Sequence, residues 1–237
     1  WFTLSHGYDK ILDKDYLKRF TFNMKGDLSH NFSNKLKSKS LDIDLSITTI
    51  GRTQISYKYS VNFFRNYLGV DYNNFSKSTL TLVGAPSKKL TFQARATFGK
   101  EIAFNEDLPE IGKESSFFIL FNYKVGNNLS ISPSLRFSSL KKIDGSEHFY
   151  NGYISRVSSR YQFNNDLSLR LISEYNKFTD TFYVQPLLEW NPNPSTIFYV
   201  GGNQSSINDF DLMQEDFNPF RINRSQFFIK FQYLIGI

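Results

Sequence analysis

Apolar and polar residues alternate along this chain almost from end to end, in stretches of roughly ten positions separated by turn-forming residues. Leu129, Ile131, Leu135 and Phe137 alternate with Ser130, Ser132, Ser134 and Arg136. Leu90, Phe92, Ala94, Ala96 and Phe98 alternate with Thr91, Gln93, Arg95 and Thr97. The pattern is still running at the end, where Phe227, Ile229, Phe231 and Tyr233 alternate with Phe228, Lys230, Gln232 and Leu234. Successive side chains on a strand point to opposite faces, so each stretch has one greasy face and one wet face. Strands of that length with that period predict an all-β fold, an antiparallel transmembrane β-barrel.

Composition fits the expectation. Hydrophobic residues are 40% of 237, and the mean hydropathy is below zero, as in a barrel whose strands are half polar. No run approaches 18 consecutive apolar residues, which excludes a spanning helix. Aromatics are 17%, with 25 Phe, 14 Tyr and 2 Trp, residues suited to strands and to a bilayer interface. There is no cysteine, so neither a disulfide scaffold nor a thiolate metal site is expected. The net charge of +6 is spread along the chain, which argues against a nucleic-acid partner.

About thirteen strands are predicted, at 1–7, 17–30, 38–48, 53–64, 76–84, 88–99, 115–125, 128–139, 148–163, 166–178, 181–191, 195–203 and 223–236. Short connections at 49–52, 85–87, 126–128, 164–166 and 191–194 are built from turn residues. Longer ones fall at 65–75, 100–114, 140–147 and 204–222. The two classes largely alternate, as expected when tight turns face the periplasm and long loops face outward. With the C-terminus at the periplasmic rim, all four long connections fall outside. An odd strand count leaves an edge, and bacterial barrels normally have even numbers. Residues 1–237 are therefore expected to be the C-terminal portion of a larger, even-stranded barrel. The chain opens within a strand pattern at Trp1, without a leader, so an exported precursor with further N-terminal strands and domains is expected.

The stretch Ile154-Ser155-Arg156 to Tyr161-Gln162-Phe163, followed by Leu167 to Ile172, resembles a known strand pair. So do Gln185-Pro186-Leu187-Leu188-Glu189-Trp190, Pro192 to Gly201, and Arg224 to Leu234. Together these resemble the C-terminal barrel of a Bacteroidota-type family of outer-membrane proteins. That barrel domain is of unknown function and follows an N-terminal domain similar to family 9 carbohydrate-binding modules. The resemblance covers about 150–236 and rests on turns and strand ends. It implies architecture, and glycans as partners through an upstream domain, but no catalytic residue. The ending Ile235-Gly236-Ile237 departs from the family's terminal aromatic.

Motifs for chemistry are sparse. His6, His30 and His148 are isolated, and no serine is marked as a partner for a membrane hydrolase site. Asp42 and Asp44 share a polar face about 7 Å apart, a spacing that suits ion pairs with basic neighbours. Asp209, Asp211, Glu215 and Asp216 cluster without the glycine and spacing of an EF-hand loop. No phosphate-binding or zinc motif is present, and neither cofactor, metal nor catalytic residue is expected. The polar phase instead collects Lys58, Arg95, Lys124, Arg136, Arg156, Arg160, Arg170 and Lys230 against Asp42, Asp44, Glu174 and Glu189. These twelve are expected to line the lumen. Eight basic against four acidic groups would favour anions if the pore is open. The expectation is a non-enzymatic Gram-negative outer-membrane barrel, in contact with lipid, that anchors a glycan- or protein-handling surface system or conducts for it. The alternative is a scaffold beside other outer-membrane proteins; a membrane-embedded hydrolase ranks last.

Overall fold

Thirteen strands form where the alternation predicts thirteen, and they hydrogen-bond in sequence order as one antiparallel meander. The computed structural model describes residues 1–237 apart from 13, 15, 33–34, 105–106, 208–220 and 235–237. The strands are β1 (Phe2–Ile11), β2 (Leu17–His30), β3 (Leu36–Thr49), β4 (Gln54–Tyr67), β5 (Val70–Ser87), β6 (Leu90–Ile102) and β7 (Ile111–Val125). They continue as β8 (Leu129–Lys142), β9 (His148–Gln162), β10 (Leu167–Asn176), β11 (Thr181–Asn193), β12 (Thr196–Ile207) and β13 (Arg221–Tyr233). The only helical element among the described residues is a short 3-10 turn over Ile50–Arg52. β1 and β13 each pair on one side only, so the sheet is open.

The chain divides into two compact units. One comprises Trp1–Ile119 with Phe137–Asn151, the other Leu120–Arg136 with Gly152–Ile237. In the first, register aligns Phe22, Leu45, Tyr57, Leu80 and Ala96 across β2 to β6. The opposite face carries Asn23, Asp44, Lys58, Thr79 and Thr97 in one row. In the second, Tyr161, Leu169, Leu188, Val200 and Ile229 align across β9 to β13. Gln162, Ser168, Glu189, Tyr199 and Lys230 line up on its other face. A slip of one residue would exchange the two faces, so this agreement of pattern and pairing fixes the register.

Several predicted connections are corrected, and the one expected at 191–194 moves to 194–195 because 191–193 belong to β11. Residues 65–75 are no loop: β4 and β5 continue through them to a two-residue turn at Leu68–Gly69. Positive φ at both positions (50° and 81°) is the mirror-image turn that matches strand twist, and Gly69 accepts it without strain. The segment lacks strict alternation because a register shift opposite Phe63 and a left-handed Asn74 interrupt it. Likewise 85–87 belong to β5, and the turn is Lys88–Lys89. The loops expected at 100–114 and 140–147 contract to 103–110 and 143–147. Of 204–222, residues 204–207 belong to β12 and 221–222 to β13; the rest lies outside the described residues. The turn at 126–128 forms as expected.

Full burial is rare and concentrated at one place in the first unit. Tyr72, Phe75 and Ile102 pack together, with Tyr67 and Ile111 against them. The Tyr72 hydroxyl donates to the Pro109 carbonyl at 2.5 Å, tying the β4–β5 hairpin to the 103–110 loop. Phe104 meets Tyr67 edge-on at 4.9 Å and lies under the Arg65 guanidinium. Gly99 allows the close approach beneath: its φ is +153°, and an added Cβ would lie 2.4 Å from the Lys77 Cα. Phe75 is 1% exposed, so Phe75→Ala should cost about 3–5 kcal/mol. A Tyr72→Phe change, which removes only the hydroxyl, should cost about 1 kcal/mol. Denaturant midpoints of both variants against the parent check the ranking.

Candidate functional site

The polar face is where side chains converge. Asp42 and Lys58 come from adjacent strands and form an ion pair at 2.8 Å. Asp44 lies directly opposite Lys58 in register, and Lys25 opposite Asp42. Arg95 lies on the same face, opposite Thr81. In the second unit Arg156 meets Glu174 at 3.2 Å, and Arg160 meets Glu189 at 3.5 Å while donating to the Ser168 hydroxyl at 3.1 Å. Arg170 is paired directly across from Arg160, so two guanidinium-bearing positions face one another on the polar side. Lys230 stands over the Tyr199 ring at 5.8 Å. For Lys124 and Arg136 strand alternation gives the phase, with Asn122 and with Ser132 and Ser134 respectively.

The strongest cluster was not among the expected residues. Lys77 Nζ contacts Glu101 Oε2 at 2.5 Å and lies 3.6 Å from Glu114 Oε2. That Glu114 oxygen is buried without a hydrogen-bond partner among the described residues. Glu101 and Glu114 fall in the segment read as a loop, so their phase was invisible to the alternation. Asp9 with Arg19 and Lys25 with Asp27 extend the ion pairing toward β1.

Two recesses open beside these charges. One, of about 300 Å³, is lined in the second unit by Arg156, Glu174, Asn176, Thr181, Tyr183 and Ser205. The other, about 570 Å³ in the first unit, lies between Tyr72, Pro109, Ile111, Lys142 and Ile143. Near the first, Asp180 accepts from Lys177 Nζ and the Tyr175 hydroxyl, each at 2.8 Å. The lysine and then the tyrosine hold its carboxyl below the usual carboxylate range. Their stabilisation of the turn is present above the ordinary carboxylate pKa and is lost as pH falls through the lowered one.

The histidines are not brought together. His6 sits on the apolar side of β1, opposite Met24, and His30 and His148 lie at strand ends. The acidic cluster at Asp209, Asp211, Glu215 and Asp216 lies outside the described residues. No group of three His, Asp or Glu side chains among the described residues is arranged to hold a metal ion.

What the arrangement can do is hold ion pairs across adjacent strands on the polar face of each unit. Lys77 neutralises two carboxylates, so Lys77→Met should leave them in mutual repulsion. The three groups are half-buried, and the cost should be about 2–3 kcal/mol, below that of a fully buried pair. Adding Glu101→Gln should recover most of it, as a double-mutant denaturation cycle will show.

No family model matches the chain, and no curated protein matches it.

Proposed function

We propose that this chain is a membrane-spanning β-barrel segment of an outer-membrane protein, serving as anchor and as an anion-biased conduit. One observation carries the reading: the apolar face is uncovered. Leu80 is 50% exposed and Phe98 60% in the first unit, and Ile229 69% in the second, each on the phase that register makes continuous within its own unit. Water makes such a face costly, whereas hydrocarbon accepts it and turns the charged face inward.

Aromatic placement supports the same reading. At the short-turn end of the second unit, Trp190 stacks on Phe198 at 5.3 Å, and Phe198 packs on Phe231 at 4.9 Å. Tyr161 and Phe163 pair at 4.8 Å at that same end. Clustered rings at one end of an apolar band form the girdle found at a bilayer interface. The resemblance over 150–236 agrees with this and adds an upstream carbohydrate-binding-like domain as the source of glycan partners. A second reading, a subunit completed by further strands or by neighbouring proteins, is favoured by the edges. Every residue of β1 is exposed, and a lipid-embedded edge demands pairing.

Leu45 lies on the apolar phase of β3 and Ser46 on the polar phase. Leu45→Arg should destabilise the lipid-inserted protein by roughly 2–4 kcal/mol, while Ser46→Arg should cost far less. Equal costs in folding titrations with vesicles would overturn the face assignment. In planar bilayers, Arg160→Glu with Arg170→Glu should move the reversal potential toward cations. A protein that inserts without conducting, yet co-purifies with other barrels, would establish the scaffold reading instead.

A further inference from the structure

At the end away from the short turns, the apolar band of the first unit closes in a row of lysines carried by four strands. Lys37 and Lys39 continue the apolar phase of β3 beyond Leu41, and both are exposed. Lys100 follows Phe98 on β6. Lys113 precedes Phe117 on the apolar phase of β7, and Lys141 follows Phe137 on β8; all three are exposed. None of the five belongs to an ion pair among the described residues, in contrast to the polar face. The Lys39 ammonium lies 5.7 Å over the Phe63 ring, a lysine laid along an apolar surface with its charge at the edge. The one acidic side chain on this phase between the two groups, Asp71, is bonded by Asn66 Nδ2 at 2.6 Å.

Spacing supplies the second observation. Lys39 lies roughly ten residues from the short-turn end of its strand at Thr49, and Lys100 as far from Leu90; a bilayer-crossing strand takes about 9–11. Lys113 and Lys141 lie roughly twelve from Val125 and Leu129, just past that crossing length. Four separate strands thus place an ammonium at the depth where hydrocarbon gives way to headgroups.

We infer that this lysine row is a docking surface for the phosphates of anionic lipid headgroups in the leaflet at that rim. The inference rests on the membrane reading above. The ligand is a phosphate diester or monoester held by several ammonium groups, with its acyl chains on the apolar band directly beside them. Each lysine near a charged surface contributes additively, and the contact weakens with salt.

The intact protein is inserted into phosphatidylcholine vesicles with and without about one third phosphatidylglycerol, and its retained lipid is identified by native mass spectrometry. The expected result is insertion into both, with phosphatidylglycerol enriched on the wild type. The K37Q/K39Q/K100Q/K113Q/K141Q variant should insert equally well and lose at least about fivefold of that enrichment. A K88Q/K89Q variant, altered at the opposite rim, should retain it. Should the five-lysine variant fail to fold, the wild type must still lose its enrichment as sodium chloride is raised. Undiminished enrichment in the variant, or none in the wild type, overturns the docking surface while leaving the barrel intact. Failure of the wild type to insert into either membrane overturns the membrane reading itself, and the lipid site with it.

Discussion

The ladder of backbone hydrogen bonds is the constraint on which everything else depends. It holds twelve antiparallel pairings in consecutive order, and each fixes which residues share a face. Because the side-chain period is two, the ladder turns a plain alternation of letters into two surfaces of opposite chemistry. Asp42 can meet Lys58 only because β3 and β4 are in this register; a shift of one would set Asp42 beside Tyr59. The interruption near Phe63 and Asn74 shows how the constraint survives local irregularity. The chain takes up extra residues on both strands of the hairpin and then resumes pairing with the faces intact.

The charged face works through density rather than through any single strong contact. Most of its ion pairs are partly exposed, and each alone contributes little. Where charges are more enclosed, as at Lys77, Glu101 and Glu114, the protein supplies one cation for two acids and leaves one oxygen without a hydrogen bond. Where two cations are opposed, as at Arg160 and Arg170, Glu189 and the Ser168 hydroxyl take up the Arg160 guanidinium. The charge balance is therefore local: acids outnumber the cation at Lys77, Glu101 and Glu114, and cations outnumber the acid at Arg160, Arg170 and Glu189.

Much of this is legible in the letters. All thirteen strands could be read, because only an extended strand sets every second residue on one face over ten positions. The ends could not. At 65–75 and 100–114, tertiary packing around Tyr72 and Phe75 extends strands through residues whose local pattern is broken by Gly, Asn and Pro. That same packing hid Glu101 and Glu114. The ion pair expected of Asp42 with a basic neighbour, which Lys58 supplies, needed only parity and the register of two adjacent strands. The lysines that close the apolar band were missed for a simpler reason: they sit on the greasy phase, where a search of the polar phase does not look.

The consecutive strand order has a bearing on how the molecule comes to be assembled. Every strand bonds to its immediate successor in the chain, so no pairing has to wait for a distant segment to arrive. Closure entropy is then small at each step, and growth can proceed one hairpin at a time from a single template edge. Two-residue turns such as Leu68–Gly69 and Lys88–Lys89 set the pairing of each newcomer before its neighbours are in place. A sheet built this way carries an unsatisfied edge at every intermediate stage, and the exposed side of β1 is an edge of that kind among the described residues.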